Sequence, residues 1–160
     1  MNTPTRVVAL VLEVAALCAF GYTAAPARDG DPALVGTVWK GKLTQKGDFK
    51  GTGGVPAEFA CAFKITKRDG EKFEAELYEK TPDLELTYLV RGTIKPADKG
   101  FKIEWESVDA KDVKDTEAVT NIPYVGTLKD KKMKGTWKFP SNPDGTTLEG
   151  DFEFELTTKE

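Results

Sequence analysis

The 160 residues of this chain include no histidine. Carboxylates, tyrosines and tryptophans are therefore the main side chains left for catalysis or ligand binding. The absence of imidazole removes the usual acid–base pairs, the nucleophiles that depend on histidine and the commonest zinc ligand sets. The two serines, Ser107 and Ser141, lie in no nucleophile-elbow pattern, and no glycine-rich phosphate loop is present. We therefore expect a protein that is not an enzyme and that needs no cofactor.

Paired carboxylates are the one enzymatic alternative that the composition leaves open. It would require two acids, such as Glu104 and Asp109, to converge in a cleft. Alternation with apolar residues indicates instead that the strand acids face solvent, namely Glu74, Glu76, Glu85, Glu104 and Glu106. The acids from Asp109 to Glu117 lack the glycine and terminal glutamate of a calcium loop, so we expect no metal there.

Aromatic residues are the remaining candidates for a site. The alternation places five of them on the inner face of the predicted sheet, and aromatic walls suit apolar or sugar-like ligands. Gly126 opposite Gly135 leaves a gap in that wall, which either a ligand or a neighbouring tryptophan would fill. We predict a ligand site formed by Trp39, Tyr88, Trp105, Tyr124, Gly126, Gly135 and Trp137. A fully packed interior is the alternative.

The segment 124–137 predicts how these residues are positioned. A two-residue turn at Asp130-Lys131 makes it a β-hairpin with one apolar and one polar face. The expected pairs are Leu128 with Met133, Gly126 with Gly135 and Tyr124 with Trp137. A similar pattern upstream predicts Ile94 opposite Phe101, Gly92 opposite Ile103 and Val90 opposite Trp105.

Further strands follow from the same period-two pattern. The first, 35–43, is expected to direct Val35, Trp39 and Leu43 inward. A three-residue turn with Gly70 in the left-handed region would join 57–67 to 71–79 and align Ile65 with Phe73, Phe63 with Ala75 and Cys61 with Leu77. The strands 84–94, 101–107 and 148–156 complete the set, and the segments 47–56 and 108–122 are expected to be loops near the barrel openings.

Eight short strands joined mostly by hairpins indicate an all-β protein. We predict an antiparallel up-and-down eight-stranded barrel of lipocalin-like type, with a two-sheet β-sandwich as the alternative. A closed sheet is favoured because it removes the edge strands that promote aggregation.

The N-terminus resembles a targeting segment. Arg6 precedes an apolar run from Val7 to Phe20, and Ala25-Pro26-Ala27 offers a cleavage site between small residues. We predict a signal peptide at 1–27, a flexible leader at 28–34, a single domain at 35–160 and a secreted or periplasmic location. The apolar run is too short to span a bilayer, so we expect no membrane span after cleavage.

Charge and cysteine content limit the partners. The net charge is −3, and lysine and glutamate are interspersed along the chain, so no basic face favours nucleic acid. After cleavage Cys61 would be the remaining cysteine, without an internal disulfide partner, and its parity predicts a small buried apolar residue.

Four short motifs carry a resemblance to known proteins. They are Trp39 to Gln45 (W-x-G-x-L-T-Q), Asp69 to Phe73 (D-G-x-x-F), Tyr124 to Leu128 (Y-x-G-x-L) and Gly135 to Trp137 (G-x-W). Together they resemble those of secreted, poorly characterised bacterial proteins with a lipocalin- or avidin-like eight-stranded barrel. The resemblance implies the fold, but it transfers no ligand-binding residue, so neither lipid nor biotin specificity is implied.

Two functions are consistent with these features. The first is a non-enzymatic barrel that binds a small apolar or aromatic-stacking ligand, within the barrel or at its mouth. The alternative is an envelope-associated interaction or inhibitor module with a packed interior, whose protein partner the sequence does not identify.

Overall fold

The computed structural model describes residues 33–46, 57–82, 85–111, 120–139 and 148–159. These residues form eight β-strands connected in chain order. The strands are β1 (Thr37–Lys46), β2 (Glu58–Asp69), β3 (Lys72–Lys80), β4 (Glu85–Ala97), β5 (Gly100–Lys111), β6 (Pro123–Lys129), β7 (Lys132–Lys138) and β8 (Glu149–Lys159).

Each strand pairs antiparallel with the next in the chain, and β8 pairs with β1. The sheet is therefore a closed up-and-down barrel in which no strand forms an edge. The predicted barrel is confirmed, and the sandwich alternative is wrong. None of the described residues belongs to a helix long and apolar enough to span a membrane.

The β6–β7 hairpin has the register that its turn predicts. Its three inward pairs are the expected ones: Leu128 with Met133, Gly126 with Gly135 and Tyr124 with Trp137. Asp130 and Lys131 have φ values of 51° and 62°, the left-handed conformation required at both central positions of a type I′ turn.

The hairpins β2–β3 and β4–β5 differ from the predicted registers by two residues. Ile65 pairs with Ala75 rather than Phe73, and Cys61 pairs with Glu79 rather than Leu77. Gly70 is left-handed as predicted, with φ 56°, but the turn leaves only two residues unpaired and the register shifts instead at a bulge between Ile65 and Lys67.

The β4–β5 hairpin shows the second shift of two residues. Ile94 pairs with Ile103 and Val90 with Ser107, and a bulge falls between Leu89 and Val90. A shift of two residues keeps each side chain on its own face, so the inward and outward assignments survive in both hairpins.

Two further expectations need correction. Val35 precedes β1 and is 51% exposed, while Thr37 occupies the inward position that begins the strand. The predicted loop at 108–122 begins too early, because β5 continues to Lys111. The predicted loop at 47–56 lies outside the described residues.

The two ends of the barrel differ in their connections. At the turn end, two-residue turns join β2 to β3, β4 to β5 and β6 to β7. At the loop end lie the connections after β1, β3, β5 and β7. The segment that precedes β1 packs at the turn end: Ala33 is fully buried, and the Gly36 N–H donates to the Ile65 carbonyl at 2.9 Å. The predicted signal peptide at 1–27 lies outside the described residues.

Large apolar side chains occupy the interior. Trp39, Phe63 and Phe154 are fully buried, and Phe63 contacts the rings of Phe73 and Phe154 with centroids 6.0 and 6.2 Å apart. The outer face carries cross-strand ion pairs between lysines and acids, such as Lys134 with Glu153 at 2.5 Å. The closed sheet thus separates an apolar interior from a charged, solvated exterior.

Gly135→Ala tests this packing. A methyl group at Gly135 would meet the backbone carbonyl oxygen of Val125 and, at 2.5 Å, Phe152 Cζ, so we expect overpacking to lower the free energy of unfolding by about 1–3 kcal/mol. Urea denaturation would measure the change. Val125→Thr is a matched control on the outer face, where Val125 is 45% exposed, and should stay within about 0.5 kcal/mol of the unmodified chain. Equal stability of the two variants would contradict the packing described here.

Candidate functional site

Four of the five predicted aromatic residues gather in the half of the barrel nearer the loop end. The rings of Trp105 and Tyr124 are stacked, with centroids 5.0 Å apart and planes at 8°. Trp137 lies 6.5 Å from Tyr124, and its indole N–H donates to the Thr44 carbonyl at 3.2 Å. Tyr88, on β4, is 7% exposed. Trp105, Tyr124 and Trp137 thus form a run of neighbouring rings on adjacent strands, and we call them, together with Tyr88, the aromatic wall.

Trp39 lies apart from that wall. It is the third residue of β1, towards the turn end, and it is fully buried. Its cross-strand partners are Phe63 and Leu156. Trp39 therefore belongs to the packed core of the turn end.

The gap predicted at Gly126 and Gly135 is filled by a side chain of the protein. The two glycines are paired, and Phe152 Cζ lies 2.5 Å from an ideal Cβ position on each. The ring of Phe152 also contacts Trp105, with centroids 4.7 Å apart. The paired glycines accommodate this ring, which takes the place that was predicted for a tryptophan or a ligand.

Glu79 is an acidic side chain on the inner face of the barrel. Phe73, Ala75 and Leu77 occupy the preceding inward positions of β3, and Glu79 follows at the next one, near the loop end. It pairs with Cys61 of β2 on one side and with Leu86 of β4 on the other. The side chain is partly exposed.

Three other ionisable side chains interact electrostatically with Glu79: Cys61 of β2, Tyr88 of β4 and Tyr124 of β6. Burial raises the pKa of each, and the Glu79 carboxylate adds to the effect because a nearby negative charge opposes a second one. We call Cys61, Glu79, Tyr88 and Tyr124 the mouth cluster.

The surroundings of Glu79 favour its neutral form. Burial raises the pKa of its carboxyl from an ordinary 4.5 to about 7. Within the described part of the chain, no lysine, arginine or hydrogen-bond donor contacts this carboxyl group. A carboxylate desolvated without a partner is costly, so near neutral pH Glu79 is divided between its protonated and ionised forms.

The acids of the outer face provide a contrast. Glu74 lies 3.5 Å from Lys67, Glu104 lies 2.7 Å from Lys102, and Glu76 pairs with Lys111. Asp109, which the enzymatic alternative would need beside Glu104, accepts a hydrogen bond from the adjacent Ala110 N–H at 2.8 Å. The outward placement predicted for the strand acids is confirmed.

Gln45 adds a second unmatched acceptor at the loop end. It is the inward residue near the end of β1 and is 8% exposed. No donor among the described residues reaches its Oε1 atom. An unmatched buried acceptor costs about 1–3 kcal/mol, so the loop end contains hydrogen-bonding capacity that the described protein atoms do not use.

Sequence reasoning missed both Glu79 and Gln45. The signal for Glu79 was present in the alternation from Phe73 through Leu77, which places Glu79 inward. The register predicted for β2–β3 obscured it, because that register paired Cys61 with Leu77. Gln45 lies two residues after Leu43, which was predicted to point inward, so the period-two pattern places Gln45 on the same inner face.

Metal-binding groups and surface grooves are the other kinds of site to consider in the described part of the chain. No group of three or more acids or cysteines suited to a metal occurs among the residues that the structure describes. A groove of about 400 Å³ lies on the outer surface near the turn between β2 and β3. Charged side chains dominate its lining, including Lys67, Asp69, Lys72, Glu74 and Arg91.

Glu79→Gln should change how stability depends on pH. Between pH 4.5 and about 7 the folded chain binds more protons at Glu79 than the unfolded chain does. The free energy of unfolding is therefore not reduced by Glu79 at the acidic end of this range, and it falls as pH rises through the range. Because Glu79 is partly exposed, we expect the variant to exceed the unmodified chain by on the order of 1–3 kcal/mol above that range.

Denaturation at several pH values would measure this difference, and carbon NMR of the carboxyl group would follow Glu79 directly. Glu74→Gln, on the outer face of the same strand, is the control and should not show the same pH-dependent gain. A Glu79 carboxyl that titrates near 4.5 would contradict the unpaired, desolvated setting described here.

Comparison with known proteins yields no relative: no protein-family model, curated protein or solved structure matches the chain.

Proposed function

We propose that this protein is a secreted, non-enzymatic β-barrel that binds a small apolar or aromatic-stacking ligand at the loop end of the barrel. The observation that carries the proposal is the stacked pair of Trp105 and Tyr124, placed between Tyr88 and Trp137. Flat aromatic faces contribute large contact areas with little loss of side-chain entropy.

The surroundings of the aromatic wall support binding at the mouth rather than deep in the barrel. Phe152 fills the place beside the paired glycines, and the turn end is packed around Trp39. At the loop end, by contrast, Leu86, Ala110, Ile122 and Leu148 pack against the core while remaining partly exposed. A partly exposed apolar rim around aromatic rings is typical of small-molecule sites.

The proposal of secretion depends on the sequence of residues 1–27, which lie outside the described residues. The described domain suits that location in one respect: Cys61 is a buried, free cysteine, and burial raises the pKa of its thiol. The thiolate is the reactive form, so Cys61 is protected from oxidation in an oxidising compartment.

An envelope-associated interaction or inhibitor module is the second candidate. Its support is the filled interior, since a barrel packed around Phe63, Phe152 and Phe154 would leave its outer surface and loops for recognition. The alternating lysines and acids of that surface pair with one another across strands, so the described part of the surface presents no large patch of one sign.

Tryptophan fluorescence tests the proposed function, because the three tryptophans report on different regions. Titration of the chain with small aromatic and apolar molecules should change the emission of Trp105 and Trp137, next to the proposed site. In Trp39→Phe the change should persist, since Trp39 lies in the turn-end core. In a Trp105→Phe, Trp137→Phe double variant it should be lost.

Calorimetry on the same molecules would provide a measure of binding that does not depend on emission. A response confined to Trp39, or no binding by any aromatic or apolar class, would overturn ligand binding at the mouth and leave the interaction module as the better candidate.

A further inference from the structure

We propose that the ligand carries a protonated amine, and that Glu79 together with Tyr88 anchors this cation at the loop end of the barrel. The inference rests on the proposed function and adds the chemical class of the ligand. Four observations support it.

The first is the contrast between Glu79 and most of the acids on the outer face. On the outer face, Glu58, Glu74, Glu76, Glu104, Glu149, Glu153 and Glu155 each have a lysine partner. Glu79 faces inward, where none of the described basic side chains contacts it. Among the described residues Glu79 is thus an inward acid without a basic partner, and a ligand cation would complete the pair.

The second is the character of the neighbouring groups. Cys61 of β2, which is the cross-strand partner of Glu79, Tyr88 of β4 and Tyr124 of β6 interact electrostatically with Glu79 among the described residues. Burial raises the pKa of all three, so near neutral pH they are uncharged and do not compete with a cation for the carboxylate. The ring of Tyr88, which is 7% exposed, also attracts an ammonium group through cation–π contact, whereas Tyr124 is stacked on Trp105 and is 3% exposed.

The third is the pattern of unmatched hydrogen-bonding atoms. Gln45 Oε1, also at the loop end, accepts no hydrogen bond from the described residues, and the indole N–H of Trp105 in the aromatic wall donates none. Glu79 and Gln45 both offer acceptor oxygens, and an ammonium group has several N–H donors and no acceptor. An ammonium group matches these two oxygens, whereas an anion would be repelled by Glu79; the Trp105 N–H would need an acceptor elsewhere on the ligand.

The fourth is access. Glu79 is partly exposed and is flanked by Leu86 on β4, which is also partly exposed. A ligand that enters from the loop end can therefore place its cation on the carboxylate while its apolar portion contacts the aromatic wall and rim.

Binding of a cation should be coupled to proton release. The pKa of Glu79 is raised to about 7, so the ionised form that pairs with an amine increases through neutral pH. For a ligand that remains protonated and binds only the ionised form, affinity should rise about tenfold between about pH 6 and about pH 8.

Calorimetry with three probes of one aromatic body tests the inference: benzylammonium, benzyl alcohol and benzoate. We expect the unmodified chain to bind benzylammonium most tightly, with the tenfold dependence on pH, and benzoate least. Glu79→Gln should reduce the affinity for benzylammonium at about pH 8 by about tenfold or more and remove the pH dependence. The affinity of this variant for benzyl alcohol should stay within about twofold of that of the unmodified chain.

Two controls separate charge from structure. Glu74→Gln removes an acid from the outer face of the same strand and should leave all three affinities unchanged. Glu79→Asp keeps the charge and should retain the preference for benzylammonium over benzyl alcohol.

The outcomes distinguish this inference from the proposed function. Equal binding of benzylammonium and benzyl alcohol, independent of Glu79 and pH, would overturn the cation site and leave aromatic binding at the mouth intact. Absence of binding by all three probes, and by the wider set tested by fluorescence, would overturn both.

Discussion

The pairing of β8 with β1 is the interaction on which the rest of the structure depends. It runs along the full length of β1 and satisfies backbone N–H and C=O groups that an open sheet would leave exposed on two edges. Closure also assigns one face of every strand to an interior of limited size. Side chains on that face must therefore be compatible in volume and in charge, whereas the outer face needs only to be soluble. The side chains of the described core are compatible in volume. They are not matched in charge at Glu79, an inward acid that no basic side chain among the described residues contacts.

Volume is matched by pairing glycines with aromatic rings. A Cβ atom on Gly92 would lie 2.6 Å from Phe73 Cζ, and one on Gly126 or Gly135 would lie 2.5 Å from Phe152 Cζ. Rings that lie over strand glycines cover backbone that has no side chain of its own and fill the curved interior closely. Glycine in such a barrel thus indicates where a neighbouring ring lies, and ligand space is better sought at the loop end, where the inner face becomes partly exposed.

The sequence was sufficient to predict the barrel and the face of almost every strand residue. A shift of the register by two residues leaves each side chain on the same face of the sheet, so an error of that size does not change the assignment. The β6–β7 register was also predictable, since Asp130 and Lys131 define a turn of known length. The β2–β3 register was not, because a bulge between Ile65 and Lys67 adds a residue, and bulges have no strong local signal. That register decides that Cys61 lies beside Glu79, so the candidate site depended on the one feature that alternation does not reveal.

An inward acid in a closed barrel can be stabilised in two ways, by a proton or by a cation. The proton is always available, and burial already shifts the pKa of Glu79 towards it. A ligand amine would act at the same carboxyl oxygens, so proton and ligand exclude each other there. Because Tyr88 and Tyr124 remain neutral over the relevant range, Glu79 alone determines the charge of the mouth cluster. A barrel of this kind would bind its ligand in neutral surroundings and release it in acidic ones, through one ionisable side chain and without a change of fold.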